Sequence, residues 1–327
     1  MAKYLVKRLF YIIFILLILS VLIFVLFRNM PGDPALTMIA GQMDQMTPEQ
    51  FEMAYARARE LMGLDEPILA QFFIWLGNML TGNMGYSATR GLPVLDVVRI
   101  PMLNTVIINI LNLILVFAIT VPLGIVSAIK RGSTTDNSIL VGSIVGLSFP
   151  VFLFGLLCIL IFAIIWQIFP INGMSSPIPP TEFWPMIWDR LYFMALPLIV
   201  LVLSSLAGLI RYVRASMIEA LSMDYVRTAR SKGLAEKTII YSHAFKNALI
   251  PIITVMTGWF IGIFGGSVIV ERLFAWNGMG DVMLTSLSMQ DFAVVMSMNM
   301  FYILISLVGL LFMDIAYAIA DPRIKFE

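Results

Sequence analysis

Charged residues are scarce in this 327-residue chain: Asp, Glu, Lys and Arg form 13% of it. An ordinary soluble domain has about 25%. Hydrophobic residues form 60% of the sequence. This composition excludes a water-soluble globule and favours a single body with many membrane spans.

Cysteine and net charge are also nearly absent. Cys158 is the one cysteine, so neither an internal disulfide nor a multi-cysteine zinc site is expected. The formal net charge is +1, which points to no acidic partner. Tandem repeats and low-complexity stretches are missing as well, which argues against solenoids and disordered tails.

Long apolar runs without charge dominate the sequence instead. A helix needs about 20 such residues to cross the hydrocarbon core, and a central charge costs roughly 2.5–3.5 kcal/mol. Only one of the runs carries a charge, Asp314, for which a proton or ion site and a structural role near the helix end both stay open. The six predicted spans are residues 9–27, 102–129, 139–166, 191–210, 248–270 and 292–319.

Basic residues indicate how these spans are oriented. Fourteen of the 21 lie in the two tails, the second loop and the stretch 211–247, which all fall on one side of six spans. The short loops of the other side contain only Arg190 and Arg272. Because basic residues favour the cytoplasm, both termini are predicted to be cytoplasmic. The first run exceeds the roughly 7–15 residues of a signal-peptide core, so we expect it to be a retained helix.

The chain is therefore expected to have two parts. Residues 1–100 comprise one span and a long external segment, and residues 101–327 comprise five spans with the cytoplasmic loop 211–247. In the external segment, Thr47 and Gln50 have the spacing of a capping box, which predicts a short helix. That helix is expected to end at Gly63. A second, apolar helix should run from Pro67 to Gly82, and it can pack on the spans or contact an external partner protein.

The loop 211–247 contains seven basic and three acidic residues. Residues 224–234 have the pattern of a short helix that Ser222 or Asp224 caps and that Gly233 ends in a left-handed conformation. A second helical stretch should follow and reach the fifth span, with Pro251 in that span's first turn. Nucleic-acid binding is not expected, because membrane helices hold the loop at both ends. Attraction to anionic membrane lipid explains the charge but not the glycine turn.

Residues 224–234 read DYVRTARSKGL, and residues 243–251 read HAFKNALIP. This pattern resembles the cytoplasmic "EAA" loop of ABC importer permeases, and most closely that of the dipeptide/oligopeptide/nickel branch. The general pattern begins with a glutamate, and Arg227 stands in its place here. In that family the loop is the helix that docks on an ATPase subunit. The resemblance implies this coupling role for Asp224, Tyr225, Arg227, Thr228, Ala229, Arg230, Lys232 and Gly233.

The resemblance covers nearly the whole chain. Within the family, the chain resembles the B-type permease subunit in particular. It implies an all-α membrane protein of type I ABC importer permease architecture, with six transmembrane helices, in the bacterial cytoplasmic membrane. The further matching motifs occur in the expected order at residues 29–34, 76–78, 82–87, 148–152, 271–280, 291–292 and 321–323.

The sequence lacks the G-x-x-x-x-G-K-[ST] pattern that cradles nucleotide phosphates, so no ATPase site is expected in this chain. No cofactor or metal site is expected in it either. The resemblance implies that two separate ATPase subunits use ATP and Mg²⁺. It further implies a second, C-type permease subunit and an external solute-binding protein as partners.

Small and polar residues inside the spans have two open interpretations. Gly258, Gly262 and Gly266 recur at a spacing of four, which allows close helix packing or a moving interface. Polar side chains in the second span can line a pathway or bond to neighbouring helices. These side chains are Asn104, Asn109 and Asn112.

The resemblance predicts an importer subunit, and peptides are the expected cargo. Nickel or another small solute is the alternative within the same family. A different class, the intramembrane aspartyl proteases, is suggested by the G-x-G-D pattern at residues 278–281, with Asp281 and Asp314 as the two carboxylates.

Overall fold

The computed structural model describes residues 2–29, 32–39, 43 and 46–320. Helices dominate this part of the chain, and no β-sheet occurs in it. The helices before the second predicted span are α1 (Ala2–Arg28), α2 (Pro34–Ile39), α3 (Pro48–Leu61) and α4 (Ile68–Leu80). Those that follow are α5 (Val94–Ile129), α6 (Thr134–Ser148), α7 (Val151–Cys158), α8 (Phe183–Ser222), α9 (Asp224–Ser231), α10 (Glu236–Thr238), α11 (Lys246–Gly262), α12 (Val268–Leu273), α13 (Met279–Ser288) and α14 (Phe292–Ala320).

The all-α membrane architecture is confirmed. Among the described residues, four helices are long and apolar enough to cross a bilayer on their own. They contain the first, second, fourth and sixth predicted spans. The third and fifth predicted spans are broken helices, and the total reaches six if each bent pair counts as one span. The four long segments are Val6–Arg28, Val94–Ile129, Phe183–Ser222 and Phe292–Asp314.

The third predicted span bends by 99° between α6 and α7. Phe149 lies at the bend with an extended backbone, φ −85° and ψ 125°. It precedes Pro150, and the proline ring disfavours helical geometry in the residue before it. After the bend, α7 continues into a π-helical segment, Ile159–Ile165. The hydrophobic run was predicted correctly. The bend that divides it was not predicted.

The two longest helices, α5 and α8, pack along each other and form the centre of the molecule. Gly124 of α5 permits the closest approach, because a Cβ there would lie 2.6 Å from Val213 Cγ1. The largest buried cluster lies at this contact and extends to α9 and α11. Its most completely buried members include Val116, Val213, Met217, Val226, Ile239 and Ala244.

The external segment folds as the sequence predicts. Thr47 and Gln50 form the expected capping box at the start of α3, and Gly63 follows that helix with φ +62°. The second external helix, α4, lies against the first span, where Phe72 packs edge-on against Phe24 with ring centroids 5.5 Å apart. The external segment thus packs against the first span through α4.

Candidate functional site

The short helix predicted in the basic loop is present as α9. Asp224 lies in its first turn and Arg230 in its last turn, the arrangement that the helix dipole favours. The predicted cap is wrong, because Met223 occupies the N-cap position and no side chain caps the helix. Ser222 instead donates a hydrogen bond to the Glu219 carbonyl at 2.7 Å.

One side of α9 is anchored in the protein core. Val226 is fully buried and Ala229 is 5% exposed, and both belong to the cluster that joins α8 and α11. Full burial of a valine side chain contributes about 1.5–3 kcal/mol. No role was predicted for Val226, although its spacing of three from Ala229 places both residues on one helix face. This anchor makes α9 part of the same rigid core as the long helices.

The other side of α9 faces outward. Of the eight residues to which the resemblance assigns the coupling role, Ala229 is buried in the core. The remaining seven are exposed, so α9 presents a polar and mainly basic surface. These residues are Asp224, Tyr225, Arg227, Thr228, Arg230, Lys232 and Gly233.

Gly233 ends the helix as predicted, with φ +72°. The following residue, Leu234, donates its N–H to the Ala229 carbonyl at 3.4 Å, which closes the turn. Arg230 then reaches across the turn, and its Nε donates to Glu236 Oε1 at 2.8 Å. This hydrogen bond holds the pKa of the Glu236 carboxyl below its ordinary value. Glycine is required here by backbone conformation and not by space, because a Cβ would meet nothing within 4 Å.

The connection from this turn to α11 is helical, as predicted. It passes through α10 and a π-helical segment, Ile239–Phe245, before α11 begins. Pro251 lies inside α11 and begins the segment Pro251–Phe260 that follows a 46° bend, in agreement with its predicted place in the first turn of the fifth span. Burial raises the pKa of the Tyr225 phenol, and the nearby side chain of Asn247 opposes the rise.

A buried ion pair connects the ends of the long helices on the side of α9. Arg214 of α8 donates two hydrogen bonds to Asp136 of α6, at 2.8 and 2.7 Å. Asp136 also accepts hydrogen bonds from Ser127 and from the Gly132 N–H. Asp136 is 1% exposed. This pair was not predicted, because its two charges lie outside the motifs and meet only in the folded chain.

The three asparagines of the second span have different surroundings. Asn104 donates to the Asn277 carbonyl at 2.8 Å and accepts from Arg190 at 2.7 Å. Asn109 donates to carbonyl groups just after the end of α11. Asn112 is 9% exposed, and its Oδ1 has no hydrogen-bond partner within the described part of the chain. Asn104 and Asn109 thus bond to neighbouring segments, whereas Asn112 Oδ1 bonds to none of the described residues.

The three glycines at spacing four also differ. Within the part of the chain that the structure describes, a Cβ on Gly258 or Gly262 would meet nothing within 4 Å, so this face of α11 is open there. Gly266 lies beyond the end of α11, where a Cβ would be 2.1 Å from the Gly280 backbone N. Gly266 therefore belongs to a tight contact between chain segments, and the other two do not.

That tight contact surrounds Glu271, which is 4% exposed. One carboxylate oxygen accepts the backbone N–H of Asp281 at 2.8 Å, at the start of α13, and the other accepts from Thr105 at 3.2 Å. Burial raises the pKa of Glu271, and these hydrogen bonds oppose the rise. The motif at residues 271–280 thus fastens α12 and α13 to the second span.

The carboxylates of the protease alternative do not form a pair. Asp281 Oδ1 accepts from Arg272 Nε at 3.0 Å, and Asp314 Oδ2 lies 2.7 Å from Arg8 Nε. Each acid is thus neutralised by a different arginine and cannot share a proton with the other. Asp314 connects α14 to α1, as expected for a structural role. Of the predicted motifs, residues 30, 31 and 321–323 lie outside the described residues.

Comparison with known proteins identifies two matching family models. The model for "Binding-protein-dependent transport system inner membrane component" matches residues 120–326. The model for the N-terminal part of membrane components of binding-protein-dependent transport systems matches residues 1–98.

Relatives match the chain from end to end. The oligopeptide transport system permease protein AppB of Bacillus subtilis is 37% identical over 327 residues, which cover 100% of both chains. A putative peptide permease protein of Brucella ovis is 36% identical, with 99% of each chain covered. The glutathione transport system permease protein GsiC of Escherichia coli is 32% identical, with 100% of each chain covered.

Proposed function

The chain belongs to the family of binding-protein-dependent transport system inner membrane components, and we propose that it carries peptides across the bacterial cytoplasmic membrane. In this proposal it is the B-type permease subunit of an ATP-driven importer and forms half of the translocation pathway. A second, C-type permease forms the other half. Two ATPase subunits use ATP and Mg²⁺, and an external solute-binding protein delivers the cargo.

The observation that carries the coupling proposal is the two-sided character of α9. Its inner face is buried in the cluster shared with α8 and α11, while its outer face is polar and exposed. A helix mounted in this way moves as one body with the long helices. Closure of an ATPase pair beneath α9 would therefore tilt those helices between two packed arrangements. Both termini lie in the cytoplasm in this proposal, on the side of α9.

Peptides are favoured as cargo by the names of the relatives, which refer to oligopeptides, peptides and glutathione. All three contain amide-linked amino acids. Nickel or another small solute is the competing cargo. Uptake of labelled peptide and of radioactive nickel should be compared in cells that contain the complete transporter or lack this chain. Peptide uptake that requires the chain supports the proposal, whereas nickel uptake that requires it would replace the substrate assignment.

Cross-linking tests the coupling role. In a Cys158→Ala background, Thr228→Cys places a thiol on the exposed face of α9, and Ala229→Cys places one on the buried face. A short thiol-to-amine cross-linker should join Thr228→Cys to an ATPase subunit in the assembled transporter and leave Ala229→Cys unlinked. Assembled transporter in which neither thiol reaches an ATPase subunit would refute the docking of α9.

A further inference from the structure

A notch of about 270 Å³, with two asparagines in a mostly apolar wall, lies between α5 and the end of α11 and is partly open at the surface of the chain. Asn112, in its wall, is near the midpoint of the long helix α5, so the notch lies at membrane depth. The residues that line it are Asn109, Asn112, Leu113, Trp259, Gly262 and Ile263.

The backbone beside the notch is not helical. Helix α11 ends at Gly262, and the next helix begins at Val268. The side-chain amide nitrogen of Asn109 lies within hydrogen-bonding distance of three carbonyl oxygens at the end of α11 and in this break, those of Gly262, Ile263 and Gly265, at 3.3, 3.0 and 3.0 Å. Irregular backbone at membrane depth occurs where protein covers it or where it lines a water-filled cavity. Within the described chain nothing lies within 4 Å of a Cβ built on Gly262.

Asn112 adds an unused polar group to this wall. Its Oδ1 is buried without a partner among the described residues, which costs about 1–3 kcal/mol. A side-chain amide offers a carbonyl acceptor and N–H donors, the same groups as a peptide unit. Trp259 supplies an aromatic surface beside it and is packed edge-on against Phe117, with ring centroids 6.1 Å apart. The wall is therefore chemically complementary to a peptide unit, which the Asn112 amide can hydrogen-bond, and to an adjacent side chain, which the Trp259 ring can contact.

We propose that this notch is a subsite for the main chain of a peptide in transit, in which Asn112 hydrogen-bonds to a peptide unit and Trp259 contacts the adjacent side chain. The notch is smaller than the roughly 300–1,000 Å³ of a whole ligand pocket. It therefore holds one or two residues of an extended peptide, and the second permease encloses the rest. Main-chain recognition is independent of side-chain sequence, as a carrier of varied peptides requires. This inference rests on the proposed function.

The first test is labelling of the complete transporter in proteoliposomes, again in the Cys158→Ala background. Leu113→Cys lies in the notch, whereas Ile114→Cys points about 100° away on the same helix. A charged, membrane-impermeant methanethiosulfonate reagent should react with Leu113→Cys and not with Ile114→Cys. Peptide-loaded binding protein should slow the reaction several-fold during turnover. An unreactive Leu113→Cys, or a reaction that peptide leaves unchanged, would overturn the proposal.

The second test separates transport from folding. Asn112→Leu removes the hydrogen bond at similar size, and a chain that loses a buried unpaired amide should be as stable as the wild type or more stable. The maximal rate of peptide uptake should nevertheless fall about twofold to tenfold, the factor that one hydrogen bond represents. Peptide affinity of the binding protein should stay the same. If the Asn112→Leu transporter takes up peptide at the wild-type rate, the subsite is overturned and the proposed function is not. If the wild-type transporter itself takes up no peptide, the proposed function is overturned.

Discussion

Arg214 and Asp136 meet through two hydrogen bonds, from Nε to Oδ1 at 2.8 Å and from Nη2 to Oδ2 at 2.7 Å. This fork geometry is specific to arginine, because a lysine ammonium cannot donate two parallel hydrogen bonds to a carboxylate. The pair joins α8 to the start of α6, and Ser127 brings in the end of α5. Three of the long elements are thus held together on the side where α9 is mounted.

Removal of the Asp136 charge should destabilise the chain strongly. Arg214 is largely buried, and Asp136→Asn removes its counter-ion. Loss of one partner of a buried pair costs on the order of 3 kcal/mol. Unfolding of the purified chain in detergent measures the effect. The matched control is Asp224→Asn, which removes an exposed partner 3.9 Å from Arg227 and a favourable charge in the first turn of α9, and should cost less than about 1 kcal/mol. Equal losses in the two variants would contradict a special role for the buried pair.

The turn at Gly233 should tolerate asparagine and reject valine. The φ of +72° is strained for residues with a Cβ, by about 1–2 kcal/mol, and most for β-branched ones, whereas asparagine adopts it more readily. Gly233→Val should therefore abolish peptide uptake and co-purification with the ATPase subunits while membrane insertion persists. Gly233→Asn should retain both activities, because the space around the position is open. Full transport by the valine variant would remove the turn from the coupling mechanism.

Local sequence signals predicted much of this fold. Charge-free runs located the long helices, and the capping box at Thr47 and the glycine at position 233 located the ends of α3 and α9. Such signals depend on a few neighbouring residues. The 99° bend before Pro150 was not predicted, because hydrophobicity records burial in lipid but not the direction of a helix.

Contacts between segments that are distant along the chain could not be predicted from the sequence. Asn104, Asn109 and Asn112 are equivalent polar residues in one apolar run, and only their tertiary neighbours distinguish them. Arg214 and Asp136 are likewise 78 residues apart along the chain. The surface of α9 was predicted as a unit, but the burial of Ala229 depends on its packing against α8 and α11.

Acid should loosen the turn that follows α9. Arg230 holds the pKa of Glu236 below the ordinary value of 4.5, so the ion pair stabilises the turn above that pH. The stabilisation is lost as the pH falls below 4.5 and through the lower pKa of the folded state. Amide hydrogen exchange at Gly233 and Leu234, corrected for intrinsic rates, should therefore show less protection at pH 3.5 than at pH 6. In Glu236→Gln the protection should be lower and independent of pH over this range.

Alanine substitutions should separate the glycines of the fifth predicted span. A Cβ at position 266 would overlap the Gly280 backbone N at 2.1 Å and the Glu271 carboxylate at 2.5 Å, so backbone must shift. Overpacking of this kind costs about 1–3 kcal/mol, and Gly266→Ala should lower the unfolding free energy of the isolated chain by that amount.

The matched control is Gly258→Ala, at a helical position where a Cβ meets nothing within 4 Å. Alanine stabilises a helix interior by about 0.5–1 kcal/mol relative to glycine, so this variant should be as stable as the wild type or more stable.

The Gly258→Ala substitution also tests whether the open face of α11 is covered in the transporter. Loss of co-purification with the second permease, despite an intact isolated chain, would place Gly258 at their contact. If Gly258→Ala instead destabilises the isolated chain as much as Gly266→Ala, the open face of α11 is refuted.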